Sequence, residues 1–315
     1  MKPVHRFSLT AMVAGLLAAF TAAPSLAAEL VLEPTSDWRL REYEDKCRIS
    51  RNFGTEEDKL TLWIDKGGPG PGVNITLIGR PVRSPYGATV YTAFAPSEPI
   101  ARNFIAAKSS KGRPVLTMFG VQPISFEPEQ MVEAQDLLDD REEETVDLTK
   151  ASLAQNVSEE TLKGRYSAIT SFDVSKGVIE PISLKLGAFL PAVEQLMDCT
   201  KSLTERLTRA SDGTYAKGTP STPEGLEKWS KKIQAKYPFH LLRERQEATV
   251  DVRITVNKVG RASYCEVTKY SGPASFNDTA CLLMLRHARF NPALDKEGNP
   301  VPSFYQTTIS YRIRR

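Results

Sequence analysis

The chain has 315 residues, 25% charged and 41% hydrophobic, which is an ordinary composition for a folded globular protein and is long enough for two cores. The formal net charge is only +3, and no nucleic-acid-binding motif is present, so the sequence gives no support for a nucleic-acid partner. Bases outnumber acids by 12 to 7 in residues 237–315, and this excess favours an acidic peptide or an anionic surface as partner.

The N-terminus has the pattern of a secretory signal peptide. Lys2 and Arg6 give a positive start, residues 9–23 form an uncharged apolar run, and small residues lead to a cleavage site near Ala27 or Ala28. An uncleaved membrane anchor is the alternative, but about fifteen apolar residues fall short of the ~20 that span a bilayer. We therefore expect residues 1–28 to be removed on export, leaving no stable membrane span.

Residues 29–208 are expected to form a mixed α+β domain that is β-rich at its start. Alternating and apolar runs predict strands at 38–40, 47–53, 59–65, 73–79, 89–95, 103–107, 115–121, 166–174 and 182–186. A helix over 189–207, with apolar residues at helical spacing, closes the domain.

Two other segments of this domain invite a ligand-binding interpretation. The glycine-rich run at 67–72 lacks the Lys-Ser/Thr pair and the following helix of a phosphate-binding loop, so we expect a connection between strands. A helical stretch at 128–141 and the acids that follow it, as far as Glu144, lack the spacing and central glycine of an EF-hand loop. A solvated acidic face is the expectation for that stretch.

Residues 209–224 are rich in Ser, Gly, Thr and Pro and predict a linker. Residues 225–315 then predict a small second domain with a short helix, a hairpin, a helix and a final strand. Alternation from Val250 to Val256 gives the first strand, and 262–269 gives the second. A helix follows over 279–289, and the last strand is at 304–313.

This order of elements resembles the C-terminal domain of the TonB energy-transducer family. The matching positions include Tyr237-Pro238, Gly260 in the hairpin, Arg289-Phe290 at the helix end, Gly298 and the terminal strand. The resemblance covers about a quarter of the chain. It implies an α+β fold in which an antiparallel three-stranded sheet packs against helices, and a place in the periplasm of a Gram-negative envelope.

The resemblance also implies a binding mode. In that family the domain takes a short segment of an outer-membrane receptor as an added strand, which supports transport across the outer membrane. The recipient strand here would be 304–313. The residues implied in partner binding are Gln234, Tyr237, Phe304, Gln306, Thr308, Ser310 and Arg312. The cleavable signal and the short linker differ from the family's retained N-terminal helix and long Pro-rich stretch. The resemblance therefore implies partner binding, and it does not extend to force transmission from the inner membrane.

The four cysteines, Cys47, Cys199, Cys265 and Cys281, all follow the expected signal peptide. An even number in an exported chain indicates disulfides rather than a metal site. Four cysteines allow three pairings, and free buried thiols are the alternative. We favour Cys265–Cys281, because the second strand and its helix are neighbours in the expected domain. Cys47–Cys199 would then join the start of the N-terminal domain to its last helix.

The sequence offers little catalytic material. After the signal only His240 and His287 remain, without acids or thiols at zinc-ligand spacing, and no Gly-x-Ser-x-Gly motif is present. We therefore expect a non-enzymatic binding protein with no catalytic residue, cofactor or metal. Two alternatives stay open: a structural protein that pairs with a second copy of itself as a homodimer or with its own N-terminal domain, and an envelope hydrolase with its site in the N-terminal domain.

Overall fold

The computed structural model describes residues 29–83, 89–124, 145–147, 159–211, 218–273 and 275–313. The predicted signal peptide, the predicted acidic helix at 128–141 and the middle of the predicted linker lie outside these ranges.

The strands are β1 (Leu30–Leu32), β2 (Arg39–Glu42), β3 (Cys47–Phe53), β4 (Leu60–Lys66), β5 (Val73–Gly79), β6 (Thr89–Ala95), β7 (Ile100–Lys108), β8 (Pro114–Val121), β9 (Thr145–Asp147), β10 (Ser171–Lys176), β11 (Ile182–Lys185), β12 (Thr222–Pro223), β13 (Ala248–Val256), β14 (Ala262–Ser271), β15 (Phe290–Asn291), β16 (Ala293–Leu294), β17 (Pro300–Val301) and β18 (Ser303–Tyr311). The helices are α1 (Glu159–Ser167), α2 (Phe189–Ser211), α3 (Leu226–Gln234), α4 (Phe239–Arg243) and α5 (Ser275–His287). Within the described ranges, no helix has the length and apolar character needed to cross a membrane.

The N-terminal region forms one ten-stranded sheet, in the order β1-β11-β10-β6-β7-β8-β5-β4-β3-β2. Its neighbours are antiparallel except for β1 and β11, which are parallel. Just after β1 the chain crosses to the end of β3, where Pro34 bridges Phe53 and the Thr35 amide donates to Asn52 O at 2.9 Å. The two ends of the sheet therefore meet, and its apolar residues enclose a single core.

Two pairs of polar groups on β5 and β8 are hydrogen-bonded to each other in this region. Thr76 Oγ1 on β5 lies 3.2 Å from Thr117 Oγ1 on β8, and Asn74 Oδ1 accepts from the Gly120 amide at 3.3 Å. The two hydrogen bonds satisfy groups whose burial without a partner would be costly.

Helix α2 packs on the sheet through residues such as Leu196 and extends to Ser211, four residues beyond its predicted end.

One predicted strand of this region is wrong in its first half. Residues 159–167 are helical and the strand begins only at Ser171, whereas the sequence pattern predicted a strand from Tyr166. The run before Ser167 contains Glu, Leu, Lys and Arg, which are good helix formers, and the apolar residues around Tyr166 masked that preference. The strands predicted at 47–53 and 73–79 are confirmed at their predicted bounds.

The C-terminal region contains the expected antiparallel three-stranded sheet, in the order β18-β13-β14. Side chains of Val250, Val252 and Ile254 are buried against α3 and α5, as their alternation predicts. A fourth strand, β9, pairs with the far edge of β14, with Thr145 opposite Ser271. The C-terminal sheet is thus extended by a segment that lies more than one hundred residues earlier in the chain.

Two disulfides are present, with the pairing favoured from sequence. Cys47 on β3 joins Cys199 on α2, with a Cα–Cα distance of 6.1 Å. Cys265 on β14 joins Cys281 on α5, at 5.4 Å. Each disulfide fixes a helix to the sheet on which it packs.

The two disulfides enclose very different lengths of chain, 152 and 16 residues, so their removal should have unequal effects. In the chain-entropy model, replacing Cys265 and Cys281 by Ala lowers the free energy of unfolding by about 3 kcal/mol, and replacing Cys47 and Cys199 by about 5 kcal/mol. Urea unfolding of the two double variants measures the difference. A larger loss for the Cys265/Cys281 pair would contradict the entropic account.

Candidate strand-receiving edge and the domain interface

The C-terminal sheet has two edges in different states. The edge of β14 is paired with β9 over residues 269–271. At the opposite edge, β18 pairs only with β13, and no described residue forms a strand on its other side. Unpaired N–H and C=O groups at a sheet edge are a template for an added strand.

The hydrogen bonds of β13 show which of its backbone groups point to each neighbour. The Asn257 amide donates to Arg261 O at 2.9 Å, and the Ser263 hydroxyl donates to Thr255 O at 3.2 Å. Alternate residues of an antiparallel strand direct both backbone groups at the same neighbour. Odd-numbered residues of β13 therefore point at β14, and even-numbered residues point at β18.

The pairing register between β13 and β18 determines which residues of β18 face away from the sheet. Ile254 lies opposite Tyr305 and Val250 opposite Ile309, so the odd-numbered residues of β18 bond to β13. The backbone groups of Gln306, Thr308 and Ser310 then point away from the sheet, and no described backbone group bonds to them on that side. Their side chains are exposed as well. These three residues form what we call the open edge.

Helix α2 limits where the open edge begins. It packs along β18, and Phe304 belongs to the same buried cluster as Leu203 and Leu207 of α2. Phe304 is 9% exposed, in contrast to its exposed neighbour Gln306. Phe304, one of the residues predicted to bind a partner, thus packs against the N-terminal region in this structure.

Other predicted site residues tie β18 to β13. Thr308 Oγ1 donates to Asp251 Oδ1 at 2.6 Å, and Arg312 donates to Thr249 Oγ1 at 3.1 Å. Arg312 also lies 3.8 Å from the carboxylate of Glu247. These contacts are made along the strand, so they leave the outward backbone groups accessible.

The two predicted residues outside β18 differ in their environment. Gln234, the last residue of α3, is exposed. The ring of Tyr237 packs edge-on against Phe276 at 5.4 Å and Tyr311 at 5.6 Å, and its hydroxyl donates to Gln246 O. Tyr237 therefore fixes the end of α3 to the C-terminal sheet.

An interface that the sequence argument missed lies on the other face of this sheet. The glycine-rich loop between β4 and β5, at residues 67–72, docks there. Thr255 Oγ1 donates to Gly67 O at 2.8 Å, and the Tyr264 hydroxyl donates to Gly72 O at 2.5 Å. These glycines are neither a phosphate-binding loop nor merely a connection, because their backbone forms the contact between the two regions.

The glycines are required by close approach. A Cβ added to Gly67 would lie 2.8 Å from Tyr264 Cβ, and one added to Gly70 would overlap the carboxylate of Glu266. In both cases the added Cβ would come closer to its neighbour than ordinary van der Waals contact allows. The repeated glycine in this run is the sequence signal of the interface, since glycine allows the backbone of one element to touch another.

Three charged residues meet at this interface. Lys66 is 2% exposed and donates to Gly70 O, while Glu266 is 6% exposed and accepts from Arg253 at 3.0 Å. Burial lowers the pKa of Lys66 to about 8, against the opposing effect of Glu266. Burial also raises the pKa of Glu266, against the effects of Lys66 and Arg253. Desolvation thus outweighs pairing for both groups.

Helix α5 makes a second contact with the N-terminal region. It packs against β7 and β8, where Arg102 lies 3.6 Å from Asp278, and both side chains are largely buried. Burial raises the pKa of Asp278 despite the nearby guanidinium. Together with the glycine-rich loop, this contact fixes the C-terminal sheet against the N-terminal one.

Gly70→Ala should destabilise the protein, because the new methyl group overlaps Glu266 in a packed interface. Overpacking of this kind costs roughly 1–3 kcal/mol. Gly164→Ala is the matched control, because nothing lies within 4 Å of its added Cβ in α1 and alanine favours a helix by about 0.5–1 kcal/mol. Thermal unfolding compares the two; equal melting temperatures would argue against the interface.

The lowered pKa of Lys66 should make the folded protein more stable as the pH rises above 8. Its folded pKa of about 8 lies below the 10.5 of an unperturbed lysine, so between these pH values the unfolded chain binds a proton that the folded chain has released. The free energy of unfolding should therefore rise with pH in this window, by at most about 1.4 kcal/mol per pH unit. Urea unfolding of Lys66→Met should show a smaller slope than the wild type.

The exposed Lys59 supplies the control for that measurement. Its side chain is 44% exposed, so Lys59→Met should retain the wild-type slope. If Lys66→Met and the wild type have the same pH dependence from 8 to 10, the buried amine is not the group responsible.

Comparison with known proteins bears on the C-terminal region. Residues 233–313 match the family described as Gram-negative bacterial TonB protein C-terminal. No curated protein and no solved structure matches the chain. The match spans the segment that carries α4, α5, the three-stranded sheet and the open edge. It confirms the resemblance seen in the sequence: residues 233–313 are similar to the TonB C-terminal domain, a module typical of periplasmic envelope proteins that take part in energy transduction.

Proposed function

We propose that this protein acts in the periplasm without catalysis, and that its TonB C-terminal domain binds a segment of an outer-membrane receptor or another envelope protein by strand addition. The observation that carries the proposal is the open edge. Three successive outward residues, Gln306, Thr308 and Ser310, present backbone donors and acceptors that the described residues leave without backbone partners.

The energetics favour a short and weakly held segment. A hydrogen bond contributes about 0.5–1.5 kcal/mol net, so a few backbone bonds alone give modest affinity. Helix α2 and Phe304 border the start of the edge, which restricts a partner strand to the part of β18 beyond them. Specificity must then come from side chains that flank the added strand, and here these are exposed and polar.

The interface with the N-terminal region would connect a partner bound at the open edge to the rest of the protein. The domain is fixed at the glycine-rich loop and at Asp278, so a segment bound to β18 is connected to the N-terminal core through buried contacts. We propose that the protein supports transport across the outer membrane by holding its partner in this way.

Proline substitutions at adjacent positions of β18 test the binding mode. Thr308→Pro removes an outward N–H, so it should abolish capture of envelope partners while leaving the fold intact. Thr307→Pro removes an N–H bonded to β13 and should lower the free energy of unfolding by about 1–3 kcal/mol. Thr308→Val keeps the N–H, loses the contact with Asp251 and should still capture the partner.

The measurement is photo-crosslinking from position 306 in an envelope extract, with thermal unfolding of each variant. Adducts with an outer-membrane protein that disappear in Thr308→Pro support strand addition. Unchanged adducts in a folded Thr308→Pro variant would contradict it. Adducts between two copies of the chain would instead favour self-association.

A further inference from the structure

Three connections meet at one end of the N-terminal sheet and enclose a cleft. Leu60, at the start of β4, lies opposite Phe53 of β3 and Gly79 of β5. Strand β8 starts at the same end, since Val115 lies opposite Ile78 of β5. The β3–β4 turn, the segment after β5 and the β7–β8 turn therefore come together there. The glycine-rich loop leaves the other end of β4, and this seven-residue strand separates the cleft from that loop by ~20 Å.

The cleft is large enough for a small molecule, and its lining is polar. Its volume is about 510 Å³, within the range of roughly 300–1,000 Å³ that is usual for small-molecule sites. Eight polar or charged residues line it, four of them bases and two of them acids. The acids, Glu56 and Glu57, belong to the β3–β4 turn and are exposed. The lining therefore favours a hydrophilic ligand of negative charge.

Three of the four bases have no acidic partner. In the parts of the chain that the structure describes, Arg80, Lys111 and Arg113 form no ion pair, whereas Lys59 is paired with Glu56 at 3.3 Å. The Nε of Arg113 is buried and has no hydrogen-bond partner among the described residues. Charged donors without acceptors are costly to hold together, so an anion that enters the cleft would be bound favourably.

The backbone fixes the positions of these bases. Arg80 opens a single turn of 3₁₀ helix, in which the Arg83 amide donates to Arg80 O at 3.1 Å. In the β7–β8 turn, the Arg113 amide donates to Ser109 Oγ at 3.0 Å, and the Ser109 amide donates to Arg113 O at 2.9 Å. Lys111 lies between these two residues. A ligand therefore meets a site whose backbone is already ordered, which lowers the entropic cost of binding.

A neutral donor lies in the same cleft. Thr61 Oγ1 donates to Asn52 Oδ1 at 2.8 Å, so the side-chain oxygen of Asn52 is engaged and its amide nitrogen is left to donate. Two guanidinium groups, one ammonium group and this amide are all donors. A phosphate group matches them better than a carboxylate, because it carries about two negative charges and three acceptor oxygens and accepts paired bonds from arginine.

We propose that this cleft binds a phosphate group carried by a small polar molecule or by a lipid headgroup. Arg80, Lys111 and Arg113 bind the phosphate oxygens, and Asn52 donates to the remainder of the ligand. The site belongs to the N-terminal region alone and contains none of the open-edge residues, so it is separate from the proposed strand-binding site.

Titration of the full chain with glucose 1-phosphate tests the proposal, with glucose as the comparison that lacks the phosphate. The amide chemical shifts of residues 80 and 109–113 should change with glucose 1-phosphate and not with glucose. Arg80→Gln and Lys111→Gln alter exposed side chains, so they should leave the melting temperature unchanged. Each should weaken binding at least about fivefold, because each removes a charge-assisted hydrogen bond. High salt should weaken binding to the wild type.

Sedimentation with phosphatidylglycerol vesicles distinguishes a lipid headgroup from a free phosphorylated solute. Vesicle binding that Arg80→Gln weakens assigns the cleft to a headgroup, and binding of glucose 1-phosphate alone assigns it to a soluble ligand; both results support the proposal. Lys201→Gln and Lys228→Gln remove exposed bases of α2 and α3 and should bind like the wild type. The proposal is overturned if neither probe shows binding that depends on Arg80, if glucose shifts the same amides equally, or if these controls weaken binding as much as Arg80→Gln.

Discussion

The structure depends on the docking of a glycine-rich loop against the outer face of the C-terminal sheet. That contact brings Lys66 and Glu266 out of water, and desolvation opposes the charge of both. Opposite charges buried near each other in this way add little stability by themselves, but removing one leaves the other buried and uncompensated. The pair therefore favours one relative placement of the two regions over looser alternatives.

This placement determines what a partner can reach. Of the two edges of the C-terminal sheet, that of β14 is paired with β9, and the start of β18 is bordered by α2. The stretch of β18 from Gln306 to Ser310 keeps outward backbone groups that the described residues leave without backbone partners. A sheet edge that is exposed over only a few residues offers a short template for an added strand, which limits edge-to-edge association with unsuitable strands.

The fold of the C-terminal domain could be predicted from the sequence because its signals are local. The alternation at Val250, Val252 and Ile254, the turn at Gly260 and the packed helix each follow from a few neighbouring residues. The disulfide between Cys265 and Cys281 follows from that arrangement.

The interface could not be predicted, because it joins residues nearly two hundred positions apart. The glycine-rich run at 67–72 was expected only to connect two strands, and nothing in the sequence identifies Tyr264 or Glu266 as the residues that its backbone approaches. The three-residue strand β9 is too short to show a period, and only its pairing with β14 identifies it. The alternation of residues along β18 likewise did not indicate that Phe304 packs with α2, since an apolar residue in a strand can face either side of the sheet.

Native-state hydrogen exchange of the β18 amides shows whether this edge of the C-terminal sheet is free. A free edge predicts alternation: the amides of Thr307 and Ile309, which bond to β13, exchange slowly, and those of Gln306, Thr308 and Ser310 exchange rapidly. Uniformly slow exchange across these residues would show that the edge is already paired, and would contradict the account.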